Sequence, residues 1–200
     1  WRRDEDDQFG ARGNGSVSYG MPWPGLGFVS ATVGKGFRAP TFFDLYAPAS
    51  DFYVPNPDLR PEQSRSRELS WRGEPVAGWR ARLTGFDHRI EDLITYVFPT
   101  MLNVRRVHIR GIEASAEGLA GGTHLKASFA MQRPRDEDTG FLLQSRSQRF
   151  GRLEATRGFG AWTFSGGVSA SGPRFDSADE SPASRLPGRL LHTNVIGCTI

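Results

Sequence analysis

A single cysteine, Cys198, in 200 residues excludes a disulfide framework and a cysteine-ligated zinc site. No stretch approaches the ~18 consecutive apolar residues of a membrane-spanning helix. Lysine is almost missing: of 25 basic residues only Lys35 and Lys126 are lysine. The arginines are scattered among 22 acidic groups, and the densest group, Arg60 to Arg72, is interrupted by Glu62 and Glu68. The net charge of +3 thus rests on no uninterrupted basic stripe along the chain, and nucleic-acid binding is set aside. Helical stripes are also lacking, apart from one candidate turn at Thr41–Tyr46. The chain starts at Trp1 with neither an initiator Met nor a signal peptide, which reads as a piece of a longer or processed protein.

What is present is turn chemistry and alternation. Glycine at 24 and proline at 13, with 12% aromatics, point to β structure with many turns. Period-two patterning is clearest in Trp162–Ser171, where Trp162, Phe164, Val168 and Ala170 alternate with Thr163, Ser165, Ser169 and Ser171. Ile112, Ala114 and Ala116 alternate likewise with Glu113, Ser115 and Glu117. Strands are expected at about Gln8–Tyr19, Leu26–Arg38, Ser64–Gly73, Trp79–Phe98, Asn103–Gly118, Thr123–Arg133, Ser145–Arg157 and Ala161–Arg174.

The links between them are more telling. Met21–Gly25, Glu74–Gly78, Leu119–Gly122 and Gly158–Gly160 are short, and they alternate with Ala39–Gln63, Pro99–Leu102, Arg135–Gln144 and Phe175–Pro187. Such strands exceed the ~5–6 residues usual in soluble sheets. Short turns at one end and long loops at the other suit a transmembrane barrel. There the apolar face meets lipid, and Glu113, Glu117, Arg152 and Glu154 face a wet lumen. The register expectation is that Trp162, Phe164, Val168 and Ala170 point outward. Tyr19, Trp23, Trp71, Trp79, Phe98 and Trp162 suit an interfacial girdle.

Two stretches carry a family likeness. From Gly34 the chain reads GKGFRAPTFFDLYAP, and from Asn56 it reads NPDLRPEQSRSRELSWRG. A third element, Ile109–Glu113, follows a strand of the type Asp92-Leu93-Ile94. In this order they resemble the C-terminal barrel of a TonB-dependent outer-membrane receptor, over about Gln8 to Arg174. The fold class implied is all-β, an antiparallel transmembrane β-barrel wall cut from a barrel of ~22 strands. Residues 1–187 are expected to be partial barrel. Residues 188–200 are expected to be an irregular tail, out of frame or truncated, because clean alternation and a terminal aromatic are missing there.

Within that family, Phe42–Tyr46 and the Ile94–Arg110 region are most similar to cobalamin (vitamin B12) receptors. Siderophore receptors share the FRAP and L-x-P-E features, so a ferric-siderophore receptor is the alternative. A secreted soluble β-sheet binding domain is the reading from another class. The resemblance implies the outer membrane of a Gram-negative bacterium. The implied partners are a corrinoid or siderophore ligand, outer-membrane lipid, and the TonB–ExbB–ExbD complex through a region outside this chain; no nucleic acid is implied.

The family-motif residues Gly36, Phe37, Arg38, Ala39, Pro40, Asn56, Pro57, Leu59, Pro61, Glu62, Gly111 and Glu113 read as structural. Prolines end a strand or hold a returning segment extended, and Asn suits a turn. Ligand contacts are expected from the aromatic and polar loop residues Tyr46, Phe52, Tyr53 and Asn56. No enzyme is expected. His88, His108, His124 and His192 are dispersed, no serine lies in G-x-S-x-G, and Gly34-x-Gly36 opens no helix. Neither metal nor cofactor is expected, and the acidic run Asp136-Glu137-Asp138 reads as a solvated loop rather than a calcium site.

Overall fold

The computed structural model describes residues 1–177 and 180–198, with the backbone alone for Val104, Arg105 and Cys198. Alternating segments become long strands because a chain lying against hydrocarbon must pair every backbone N–H and C=O with a neighbour. They are β1 (Arg2–Asp6), β2 (Gly10–Trp23), β3 (Gly27–Arg38), β4 (Glu62–Val76), β5 (Trp79–Val97) and β6 (Thr100–Ala120). There follow β7 (Thr123–Asp136), β8 (Arg149–Phe159), β9 (Trp162–Ser171), β10 (Arg174–Phe175), β11 (Arg185–Leu186) and β12 (Arg189–Cys198). One short helix, α1 (Phe42–Tyr46), lies between β3 and β4. Ten strands form a single antiparallel meander in the order β1-β2-β3-β4-β5-β6-β7-β8-β9-β12, and β10 and β11 make a separate small ribbon.

Links at one end are tight. Leu26 N–H donates to the Trp23 carbonyl at 2.9 Å, and Gly121-Gly122 turns with φ of 56° and 78°, the backbone that two-residue hairpins need. At the other end the chain makes long excursions between β3 and β4, β7 and β8, and β9 and β12. The β5–β6 link is different: its strands stay paired out to Val97↔Thr100, so the hairpin itself projects.

Register settles the two faces. Ser70 opposes Thr84, which opposes Glu113, which opposes Ala130. Trp71 opposes Leu83, then Ala114, then Phe129. The first face lines a groove of about 620 Å³ that includes Glu68, Thr84, Glu113, Ser128, Arg152 and Ser169, so it is the concave, luminal side. Hydroxyl pairs cross it at Ser18–Thr32 (2.9 Å), Ser70–Thr84 (2.9 Å) and Thr156–Ser165 (3.0 Å). The other face is apolar and solvent-accessible, with Tyr19, Leu69, Leu83, Ile112, Phe129, Leu153 and Phe164 all exposed. On β9, Trp162, Phe164, Val168 and Ala170 share that outward face, while Ser165 and Ser169 point inward beside Thr156 and Arg152.

Several expectations are corrected. Residues from 188 were expected to be irregular, yet Arg189–Cys198 pairs with β9 residue for residue. Its pattern is diluted because His192 and Asn194 share a face with Leu190 and Ile196, but the free edge of β9 supplies partners for its backbone. Thr199 and Ile200 lie outside the described residues. Strand β8 begins at Arg149, not Ser145, because Ser145 sits at φ 58°. Strand β9 stops at Ser171, before Gly172 and Pro173. Strand β1, RRDED, has no alternation to announce it. Phe98 lies at the tip of the β5–β6 hairpin, remote from the girdle.

Candidate functional site

The long β3–β4 excursion is built as a small folded unit. Thr41 caps α1: its hydroxyl accepts from Asp44 N–H at 3.1 Å, and the Asp44 carboxylate accepts from Thr41 N–H at 2.9 Å. This reciprocal box satisfies two donors that a helix start leaves unpaired. It turns Leu45 inward, and Leu45 (4% exposed), Leu59 (2%) and Ile94 (5%) form a core flanked by Phe9 and Met101. The loop is thus anchored on the projecting β5–β6 hairpin.

The motif residues sit at the joints of this unit. Phe37 N–H donates to Asn14 Oδ1 at 2.8 Å. Glu62, 9% exposed, accepts from Ile94 N–H at 2.8 Å and lies 3.7 Å from the Arg38 guanidinium. Pro40, Leu59 and Pro61 are buried, Ala39 is half-buried beside them, and Pro57 is exposed at the turn. Gly36 opposes Ser64 across the β3–β4 ladder. Gly111 packs so tightly that a Cβ there would lie 2.3 Å from the Met131 carbonyl. Glu113 faces the luminal groove.

Of the expected ligand contacts, the structure sets Tyr46 and Tyr53 in two separate ring clusters of this loop unit, leaves Phe52 exposed and commits the amide elsewhere. Asn56 Nδ2 donates to the Met101 carbonyl at 3.0 Å, and its Oδ1 accepts from Asp58 N–H at 3.0 Å. Tyr46 packs on Phe42 with ring centroids 5.2 Å apart and donates to Gln8 Oε1 at 3.2 Å. Tyr53 lies between Phe43 (5.0 Å) and Tyr96 (6.4 Å, stacked). Burial, with smaller contributions from the Asp44 charge and Tyr96, pushes the Tyr53 hydroxyl above its ordinary value, so it stays a neutral donor. Tyr96 in turn donates to the Phe52 carbonyl.

Phe42 (78%) and Phe52 (76%) remain fully open. Phe42, Phe43 and Tyr96 complete these clusters; they lie in the stretches singled out from sequence but were not named there as ligand contacts. Tyr96 was hidden because it belongs to a strand whose tip reaches the loop only after folding.

Aromatic faces with a few fixed polar groups suit a large, partly planar ligand. Nothing in the unit pairs a nucleophile with a base. The acidic run is spent on local structure: Asp136 Oδ1 accepts from Asp138 N–H at 2.8 Å, and Asp138 pairs with Arg106 at 2.7 Å.

Comparison with known proteins places this architecture. The family model "TonB dependent receptor-like, beta-barrel" matches residues 1–195. The chain is 30% identical over 188 residues to the vitamin B12 transporter BtuB of Vibrio vulnificus, covering 90% of this chain and 30% of that protein. It is 27% identical to BtuB of Photobacterium profundum over 88% of the chain and 30% of the relative. The chain therefore spans about 30% of the length of these curated relatives. Among solved structures, the ferric enterobactin receptor PfeA of Pseudomonas aeruginosa superposes with a TM-score of 0.75 at 15% identity, covering 95% of this chain and 33% of that one. The copper transporter OprC superposes with a TM-score of 0.71 at 19% identity, over 90% and 30%. The soluble-domain alternative falls, since the apolar face is the lipid-facing wall of an outer-membrane barrel. The chain belongs to the TonB-dependent receptor β-barrel family, a family of receptors and transporters rather than enzymes in the outer membrane of Gram-negative bacteria.

Proposed function

We propose that the receptor containing this stretch of barrel imports cobalamin, drawing energy from the TonB–ExbB–ExbD complex through regions outside this chain. The observation that carries the reading is sequence identity. The B12 transporters share 30% and 27% with nearly the whole chain, whereas PfeA and OprC share the fold at 15% and 19%. In this reading Tyr46, Phe52 and Tyr53, with Phe42, Phe43 and Tyr96, offer the apolar surface that a corrinoid ring meets first. Asn56 acts through the loop's shape, and the family-motif residues act through strand and loop geometry. A ferric-siderophore receptor is the second reading, supported by the superposition on PfeA over 95% of the chain.

The test is equilibrium binding of cyanocobalamin and of ferric enterobactin to the full-length receptor in detergent. Cyanocobalamin is expected to bind, and the double variant Tyr46→Ala/Phe52→Ala to weaken it by about tenfold, as expected for two lost aromatic contacts. Siderophore binding without corrinoid binding would transfer the assignment to the second reading.

A further inference from the structure

Arginines scattered along the chain come together on the outer wall. Register puts Lys35, Arg65 and Arg89 in one outward row of neighbouring strands, and Arg110 and Arg133 opposite each other in the adjoining row. Arg149 is outward on β8, opposite Met131. Six consecutive strands, β3 to β8, thus each contribute at least one exposed basic side chain; β4 adds Arg67, opposite Asp87, and β6 adds Arg106, which pairs with Asp138. No basic stripe is legible along the chain, because each strand supplies only one or two residues of the belt.

Their height is regular. On four strands the basic residue stands ten positions from the outward residue at the short-turn end: Arg89 from Trp79, Arg110 from Ala120, Arg133 from Thr123 and Arg149 from Phe159. A residue on a strand tilted by ~40° climbs about 2.5 Å along the barrel axis, so ten positions span about 25 Å, the height of the apolar band in such barrels. These four basic residues therefore stand where hydrocarbon ends, on the side of the long loops, which is the outer leaflet, and Lys35 and Arg65 adjoin them in the row of Arg89.

Charge is poorly compensated there. Arg65 lies directly opposite Arg89, and Arg110 directly opposite Arg133, pairings that repel across a ladder. Asp87 and Glu91 are the acidic groups interspersed on β5. The Asp87 carboxylate is taken by His108 at 2.6 Å, with Arg89 at 3.7 Å. Among the described residues Lys35, Arg65, Arg110, Arg133 and Arg149 have no ion-pair partner within 4.0 Å.

We infer that this belt binds the phosphate groups of outer-leaflet lipid. The occupant follows from continuity and charge: the belt directly adjoins the lipid-facing wall, and cations at that level attract the anionic phosphates of lipid headgroups. This surface is on the opposite face from the lumen and away from the aromatic loop, so it stands whichever ligand the receptor imports.

The test titrates the full-length receptor in neutral detergent with diphosphoryl lipid A, read by native mass spectrometry. The dephosphorylated lipid and inorganic phosphate serve as probes of source. The phosphorylated lipid is expected to bind more tightly than its dephosphorylated form. The triple variants Lys35→Gln/Arg65→Gln/Arg89→Gln and Arg110→Gln/Arg133→Gln/Arg149→Gln should each weaken it, by about fivefold per charge removed. Arg110→Lys/Arg133→Lys/Arg149→Lys should retain binding, as should the luminal variant Arg72→Gln/Arg80→Gln/Arg82→Gln. Equal binding of the two lipids, equal loss in the luminal variant, loss in the charge-preserving variant, or full displacement by inorganic phosphate would each overturn the inference.

Discussion

Gly111 shows how one side chain's absence sets a register. A Cβ there would meet the Met131 carbonyl at 2.3 Å and the Phe86 ring at 2.7 Å, whereas at Gly85 nothing lies within 4 Å. Gly111→Ala should therefore cost about 1–3 kcal/mol, the usual range for overpacking, while Gly85→Ala should be close to neutral. The urea midpoint of the full-length receptor in detergent separates the two; equal midpoints would refute the packing argument. Glu62 works by a different mechanism. Its carboxylate receives the Ile94 N–H in a nearly buried site, and removing the acceptor strands that donor. Glu62→Ala should cost about 1–3 kcal/mol, and Glu62→Gln, which keeps an amide oxygen in reach, clearly less. The same denaturant series checks it, and identical losses for both variants would count against the hydrogen bond.

At the scale of the element, strand β9 carries the sharpest claim, since a one-residue slip inverts every side chain. Val168 shares its face with Leu153, and Ser169 shares the other with Arg152. Val168 stands six positions above Trp162, near the middle of the apolar band. Val168→Arg should lose about 2–4 kcal/mol, the cost of a cation near the bilayer midplane, and Ser169→Arg in the wet lumen much less. In a cysteine pair, Ser169→Cys should react with a water-soluble maleimide from the lumen and Val168→Cys should not. The reverse labelling would put the strand in the other register. Alternation made β9 legible because Trp, Phe and Val recur at period two with Thr and Ser between. It failed for β12, where His192 and Asn194 share the outward face with Leu190 and Ile196, and for β1, whose residues are polar on both faces. The ladder, not composition, makes those segments strands.

For the whole molecule the decisive fact is an open sheet. Its order runs from β1 to β12 without pairing the two, so this segment alone presents two edges of unpaired N–H and C=O groups. Hydrocarbon solvates neither, and such edges invite aggregation. Expressed alone with a signal peptide in a receptor-deleted Gram-negative strain, the 200-residue chain is expected to give no heat-modifiable folded band and no corrinoid uptake. The full-length receptor is expected to give the heat-modifiable band. A heat-modifiable band from the segment alone would show that it closes by itself.

By itself the sequence determined the class of structure and the character of each face. Period two is a local property, and lipid on one side and water on the other demand apolar and polar residues in strict alternation. The FRAP and NPDLRPE stretches were legible for the same reason: proline and glycine restrict the backbone wherever they stand. Tertiary structure alone decided which residues meet across strands. Tyr96 reaches Tyr53 because the β5–β6 hairpin stays paired to its tip. Asn56 is tied to Met101 because the loop folds onto that hairpin. Basic residues from six neighbouring strands come into adjoining rows because register, a property of neighbouring strands rather than of any one segment, aligns them.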